Sequence, residues 1–430
     1  MKCYSRYIFV FILLCFTGEL VAQEFNGSTT PEHLILNLTE NPSESVAVTW
    51  RTRENTDQYV QWVEATVSPV VALDNQSKKA KSNTVTYENG KFDPLVVTNH
   101  SVYITGLKPN TAYLFRVGSD QSWSEWLEYK TATDENEPFS FIYFGDVQTG
   151  IKSQWSRVIR KAYATEPTAG FIFYAGDLIN RANSEKDWAE WFYAGGFIHA
   201  TIPSIMTPGN HEYNKLNLDN HWRNQFTLPQ NGPDMELLDE TVYYVDYQNL
   251  RIISIDADMM DESSEALEQT VKWLEKTLEE NSKKWTILTL HYPFYSTKAS
   301  RDNAELRNNL QPIIEKYGVD MVLTGHDHAY GRGMKNIKSM TKEGEISGPV
   351  YVVSVSGTKQ YDSLGKDWMT RKGGNTQLFQ VISISNNTLN FKAYMATGEL
   401  YDEFDLLKRK GQKNKLIDKI PDIPERMYKR

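Results

Sequence analysis

Between Glu24 and Lys130 apolar and polar residues alternate in short runs, among them Ser45-Val46-Ala47-Val48-Thr49-Trp50 and Val102-Tyr103-Ile104. A period of two puts every second side chain on one face of a strand, so this stretch predicts an all-β sandwich. A charged, proline-containing linker, Thr133-Asp134-Glu135-Asn136-Glu137-Pro138, interrupts the pattern. Beyond it lie five apolar runs of strand length, at 139–144, 171–175, 202–207, 285–290 and 319–324. Helical spacing separates them, clearest in 264–281, where Leu267, Val271, Leu274 and Leu278 recur three and four residues apart. Buried strands alternating with helices predict an α/β domain. Further strands near 242–256, 350–355 and 379–395 predict a second sheet, with a hairpin turn at Asn386-Asn387. The basic cluster Lys408, Arg409, Lys410, Lys413 and Lys415 reads as a solvated tail or a final surface helix, with a weak contact to an acidic surface as the alternative.

The first residues bear on the compartment. Lys2 and Arg6 precede an apolar run from Tyr7 to Phe16, and Leu20-Val21-Ala22 offers a small-residue exit, the pattern of a secretory signal peptide over residues 1–22. Leu14, before Cys15, argues against lipid attachment there. Export is therefore expected, to a periplasm or fully outside the cell. Cys3 and Cys15 both lie in this leader, which excludes disulfides and cysteine-ligated zinc from the exported chain. The sequence holds 46 Lys and Arg against 55 Asp and Glu, a formal net charge of −9, and loss of the leader makes it one unit more negative. Such a balance argues against nucleic acid as a preferred partner. No second long apolar run follows, so no integral membrane span is expected after cleavage. The sequence is silent on oligomeric state.

Each of the five strand-like runs ends on residues able to bind metal: Gly145-Asp146, Gly176-Asp177, Gly209-Asn210-His211-Glu212, His291, and Gly325-His326-Asp327-His328. In an extended turn residues i and i+2 point the same way, so His326 and His328 would aim two imidazoles into one volume, as zinc, iron, copper or nickel sites require. Taken singly, Asp146 and Asp177 would read as helix N-caps and His211 as a loop histidine. Together, at the carboxyl ends of buried strands, they read as one site assembled from loops. His33, His100, His199 and His221 lie outside these motifs and read as structural.

Two resemblances sharpen this picture. The segment from Tyr103 to Gly118 resembles the corner and following strand of a fibronectin type III domain, with Trp50 where that family keeps a core tryptophan. The ordered series of five strand-end motifs resembles the calcineurin-like metallophosphoesterase superfamily. More narrowly, Gly209-Asn210-His211-Glu212-Tyr213, Leu290-His291-Tyr292-Pro293-Phe294-Tyr295 and His326-Asp327-His328-Ala329-Tyr330-Gly331-Arg332 are similar to the purple acid phosphatase branch. So is Val271-Lys272-Trp273-Leu274-Glu275 in the helix before His291. The resemblance implies a fibronectin type III-like sandwich over 24–133 and an α/β metallophosphoesterase domain of two packed, helix-flanked sheets over 138–405. A basic C-terminal tail would occupy 406–430.

Carried over position by position, the resemblance implies two metal ions, one held by Asp146, Asp177 and His328, the other by Asp177, Asn210, His291 and His326. Asp177 would bridge. His211 would contact the phosphate and help to protonate the leaving alkoxide. The implied activity is hydrolysis of a small phosphomonoester by a hydroxide bridging the ions. A phosphodiesterase using the same site, or a surface-binding protein with an inactive phosphatase fold, are the alternative readings.

The sequence departs from the family in two places. The tyrosine expected three residues after the second aspartate is Asn180, and the histidine that the wider superfamily places two residues after the first is Gln148. The first ion would keep three firm ligands, with the amides of Gln148 and Asn180 as weak oxygen donors or substrate contacts. Oxygen-rich coordination favours manganese or magnesium, and the three histidines suit zinc or iron(II). A ferric-tyrosinate site is not expected, so the protein should be colourless. Aromatic residues at 180–196 and 213–222 would either stack on an aryl or nucleoside group or pack the core.

Overall fold

The computed structural model describes residues 27–427 apart from 54, 68–72, 90–94, 336–343 and 364–365. The leader expected over residues 1–22 lies outside the described residues. Strands Glu32–Asn37, Val46–Thr52, Asn83–Asn89 and Leu95–Ile104 form one face of the N-terminal sandwich. Tyr59–Glu64, Lys78–Lys81, Ala112–Ser119, Ser122–Trp123 and Leu127–Lys130 form the other. Alternation closes it: Val46, Val48 and Trp50 point inward beside Val102 and Ile104 and meet Tyr113, Phe115 and Val117 from the opposite sheet. The Tyr113 hydroxyl accepts a hydrogen bond from Lys108 N at 2.9 Å and locks the corner that precedes its strand.

In the α/β part, Phe139–Phe144, Ile172–Tyr174 and Ser204–Met206 run parallel, extended on one side by antiparallel Leu378–Ser385, Thr388–Met395 and Leu400–Leu407. A second sheet is built around parallel Leu250–Ile255, Trp285–Leu290, Met321–Thr324 and Val350–Val353. Its strands read as unbroken apolar runs because both faces are covered. Ile252 faces the core between the two sheets. Ile253 and Ile255 face the layer containing Ala257–Glu262, Ser264–Glu279 and Ala304–Lys316. Ser263 caps the longest of these helices by accepting from Ala266 N, and Leu274 and Leu278 are buried on its inner face. Each such leucine contributes about 1.5–3 kcal/mol relative to exposure.

The sandwich and the α/β part share a sheet. Asn37 pairs in parallel register with Ser204, so strands of both run on into one sheet of eleven. Leu38 N and Asn37 Nδ2 both donate to Ser204 O, at 3.3 and 3.1 Å.

One expectation changes and one open alternative is decided. The basic stretch is neither a solvated tail nor a helix, because Lys415–Asp418 pairs with Leu400–Leu407 as an edge strand and buries Leu416. Lys408 meets the buried Asp320 carboxylate at 2.6 Å and Arg409 meets Glu345 at 2.7 Å, so the charges match acidic partners. The stretch 180–196 holds a helix, Glu185–Gly195, whose Trp188, Trp191 and Phe192 are core residues, as is Trp222. Packing is therefore the role of these four, whereas Tyr193 is 58% exposed.

Candidate metal centre

The C-terminal edges of the parallel strands in both sheets face one another, and the five strand ends meet there. Their turns are tight. Asp177, His326 and His328 have φ of 53°, 74° and 49°, a left-handed conformation that costs a non-glycine residue about 1–3 kcal/mol. His326 and His328 thus reach the site through left-handed turns rather than the extended turn expected, and each belongs to a different donor group. Asp327 between them is drawn elsewhere: its carboxylate accepts from Ser296 Oγ, Thr297 N and Arg301 Nη1.

Gly209 permits a close approach to the Asp177 carboxylate. A Cβ there would fall 2.3 Å from Asp177 Oδ1 and 2.6 Å from Asp177 N. Gly209→Ala is therefore expected to displace the Asp177 carboxylate and to abolish metal uptake with unchanged far-ultraviolet circular dichroism. Calorimetric titration with zinc or manganese checks this, and uptake at wild-type affinity would refute it.

Asp177, His291 and His326 bring donor atoms within 4.8 Å of one another, and so do Asp146, Asp177 and His328. Asp177 belongs to both groups. His291 Nε2 lies 3.2 Å from Asp177 Oδ1 and 3.2 Å from His326 Nδ1, while His328 Nε2 is 3.8 Å from Asp146 Oδ1. Two rings are held from behind: Nδ1 of His291 donates to Ala175 O at 2.8 Å, and Nδ1 of His328 to Lys359 O at 3.0 Å. Such bonds fix the ring orientation and turn Nε2 toward the cluster. Among the described residues, buried Asp146 Oδ1 and Asn210 Oδ1 have no hydrogen-bond partner. An orphaned buried acceptor costs about 1–3 kcal/mol, so one on Asp146 within the cluster and one on Asn210, whose neighbours Gly209 and His211 both lie against Asp177, fit a pair of bound cations.

The electrostatics agree. Burial, reinforced by Asp177, pushes the Asp146 carboxyl well above the usual carboxylate range. Burial works the same way on Asp177, but the imidazoles of His291, His211 and His326 outweigh it and hold that carboxyl low. Burial works to lower His291, yet Asp177 and Asp146 raise it to about 10. Burial lowers His328 to about 3, and burial with His291 nearby holds His326 well below its ordinary value.

Gln148 is brought in: its Nε2 donates to Asp177 Oδ2 and lies 3.2 Å from His328 Nε2. Asn180 enters through its main chain, since its side chain accepts from Thr149 Oγ1 and its carbonyl accepts from His211 Nδ1. His211 Nε2 lies 4.0 Å from Asp177 Oδ2 on a side chain that is 24% exposed.

Two contributors escape sequence reasoning. Buried Glu212 gathers four backbone donors, the amides of Asp177, Leu178, Ile179 and Gly209, and so shapes the Asp177 turn. Burial and the Asp177 charge push it up to about 8 against the pull of those amides. Its place after His211 was visible, but its target was not. The second is the loop after Val350–Val353. Ser356 N and Gly357 N donate to Asp146 O, and Tyr361 N donates to His328 O. Arg332 of the last motif stays outside the site, paired with buried Asp402 at 2.8 Å.

Comparison with known proteins agrees with this architecture. Residues 31–131 match the purple acid phosphatase N-terminal domain and residues 139–330 match the calcineurin-like phosphoesterase family. Acid phosphatase type 7 of Danio rerio is 24% identical over 85% of this chain and 89% of its own. A probable purple acid phosphatase 20 of Arabidopsis thaliana is 23% identical over 68% of this chain and 69% of its own. The structure of a purple acid phosphatase from yellow lupin seeds superposes with a TM-score of 0.71 at 19% identity, covering 89% of this chain and 75% of that one. Fold and site together define a calcineurin-like metallophosphoesterase, a hydrolase. The chain belongs to the purple acid phosphatase-like branch of that superfamily, whose N-terminal domain it carries.

Proposed function

We propose that this protein is an exported phosphomonoesterase whose binuclear centre is held by Asp146, Asp177, Asn210, His291, His326 and His328. The observation that carries the reading is the Asp177 carboxylate shared by two donor groups, with the Asp146 Oδ1 of one group left without a hydrogen-bond partner among the described residues. A pair of divalent ions there supplies Lewis acidity and lowers the pKa of a water nucleophile. No protein nucleophile is then required.

The chain's own residues orient the reaction. His211 spends Nδ1 on the Asn180 carbonyl, which leaves Nε2 as the nitrogen that faces the cluster. A proton moving to the leaving alkoxide passes at that atom, a contribution of about 10²–10⁴-fold. Glu212 and the backbone of Ala175 and Lys359 hold the donors in place. The donor set suits manganese, magnesium, zinc or iron(II) without a tyrosinate. An exported enzyme of this kind would release phosphate from esters that cannot easily be imported intact.

The test is an assay of protein reloaded with each metal in turn, on an aryl phosphomonoester and the corresponding bis-aryl phosphodiester. Chelation is expected to abolish turnover, and the monoester is expected to be the better substrate. Activity that survives chelation would falsify the metal-dependent reading, and a diester preference would replace phosphomonoesterase with phosphodiesterase.

A further inference from the structure

We propose that Lys359, seconded by Lys298, reads the charge of the substrate phosphate on the His328 side of the site and selects dianionic monoesters over monoanionic diesters. The inference rests on the phosphoesterase reading above and names a specificity group within it.

The loop that carries Lys359 is fixed to the cluster. Ser356 N and Gly357 N bond the Asp146 carbonyl at 2.9 and 2.6 Å, Thr358 Oγ1 bonds the Thr149 carbonyl at 2.7 Å, and Tyr361 N bonds the His328 carbonyl at 3.0 Å. The Lys359 carbonyl itself holds the His328 ring. Its Cα therefore has a set position relative to that donor. From there the ammonium reaches Gln148 Oε1 at 3.4 Å, and the Gln148 amide touches both Asp177 and His328.

That amide is a neutral, weak partner, and among the described residues Lys359 pairs with no carboxylate. Nor does Lys298, whose ammonium stands 4.0 Å over the Tyr361 ring. Lys359 lies 5.8 Å from the centre of the same ring, which meets His328 edge-on at 4.8 Å. Two half-buried ammonium groups thus flank one aromatic wall beside His328, in a chain with more acidic than basic residues. Elsewhere on this acidic protein, lysines such as Lys316, Lys408 and Lys419 find carboxylates. A cation kept free of one beside a phosphoester site is placed for the non-bridging oxygens of the substrate, and its attraction grows with their charge. Gln148 thus stands between the Lys359 ammonium and the Asp177 and His328 donors.

Lys359→Met removes the ammonium and keeps the main-chain carbonyl that holds His328, so metal content should be unchanged. Calorimetry with inorganic phosphate on the metal-loaded protein should show affinity weakened about 10-fold or more. The kcat/KM for an aryl phosphomonoester should fall about 10- to 100-fold, with the ratio of monoester to diester turnover falling about 10-fold, and Lys359→Arg should restore most of both. Unchanged phosphate affinity, equal losses on both esters, or loss of metal from Lys359→Met would each overturn the proposal. Wild-type protein inactive on both esters would sink the phosphoesterase reading, and the phosphate titration alone would then decide whether Lys359 binds the anion.

Discussion

Asp177→Asn is expected to give a folded protein that retains neither ion and hydrolyses phosphomonoesters at least ~10³-fold more slowly. The effect is large because one side chain serves both donor groups. Asparagine keeps the shape of aspartate and tolerates the φ of 53° at this position, so the backbone turn is preserved and only the charge and one anionic oxygen are lost. His328→Asn, by contrast, should weaken only the ion shared with Asp146. The measurement is metal content per chain after dialysis, read beside circular dichroism and turnover. Retention of one ion by Asp177→Asn, with the other lost, would defeat the shared-carboxylate arrangement.

Arg51→Met is expected to destabilise the protein by about 3–5 kcal/mol without touching the metal ligands. The Arg51 guanidinium is buried at the seam between the sandwich and the α/β part, bonded to Glu32 at 2.7 Å and to Glu185. Glu185 also accepts from His221 Nε2 at 3.0 Å, and His221 Nδ1 meets Asp219 at 2.7 Å. Removing the cation takes their shared counter-ion from Glu32, which is partly exposed, and from Glu185, which is the more deeply buried. Urea unfolding measures the loss, and a change below about 1 kcal/mol would show that the seam draws its strength elsewhere.

The same cluster has a pH signature. Burial works to lower His221, but Asp219 and Glu185 outweigh it and raise it to about 9. In the unfolded chain a histidine titrates near 6.5, so the native state binds the proton more tightly. The stabilisation, on the order of 3 kcal/mol, is complete below about pH 6.5 and is lost as pH climbs through 9. The melting temperature of the wild type should fall between pH 7 and 10, and His221→Gln should flatten that slope. A wild-type melting temperature level across this window would count against a protonated His221.

Much of this molecule is legible in one dimension because burial leaves a local trace. The runs ending at Asp146, Asp177, His291 and His326 are apolar on both faces since each strand lies between two packed layers, and the helix Ser264–Glu279 shows its inner stripe for the same reason. Glu212 was harder to read: nothing local tells a glutamate that its oxygens will meet the amides of Asp177 and Leu178, 35 and 34 residues away. Lys359 and Gln148, 211 residues apart, are the same case. The basic cluster near Lys408 misled because charge spacing reports solvent preference, while Lys408 meets Asp320 from 88 residues away and Lys415 begins a strand added at the sheet edge.

By itself, then, the sequence determined the sandwich, the alternating α/β part and the strand ends on which carboxylates and imidazoles stand, because periodicity and turn chemistry are properties of neighbouring residues. Only the tertiary structure decided that Asp177 is common to two donor groups, that the sandwich sheet joins the α/β sheet at Asn37 and Ser204, and that the Lys359 ammonium faces Gln148. Those facts depend on which distant surfaces meet, and that is settled by close packing of the whole chain.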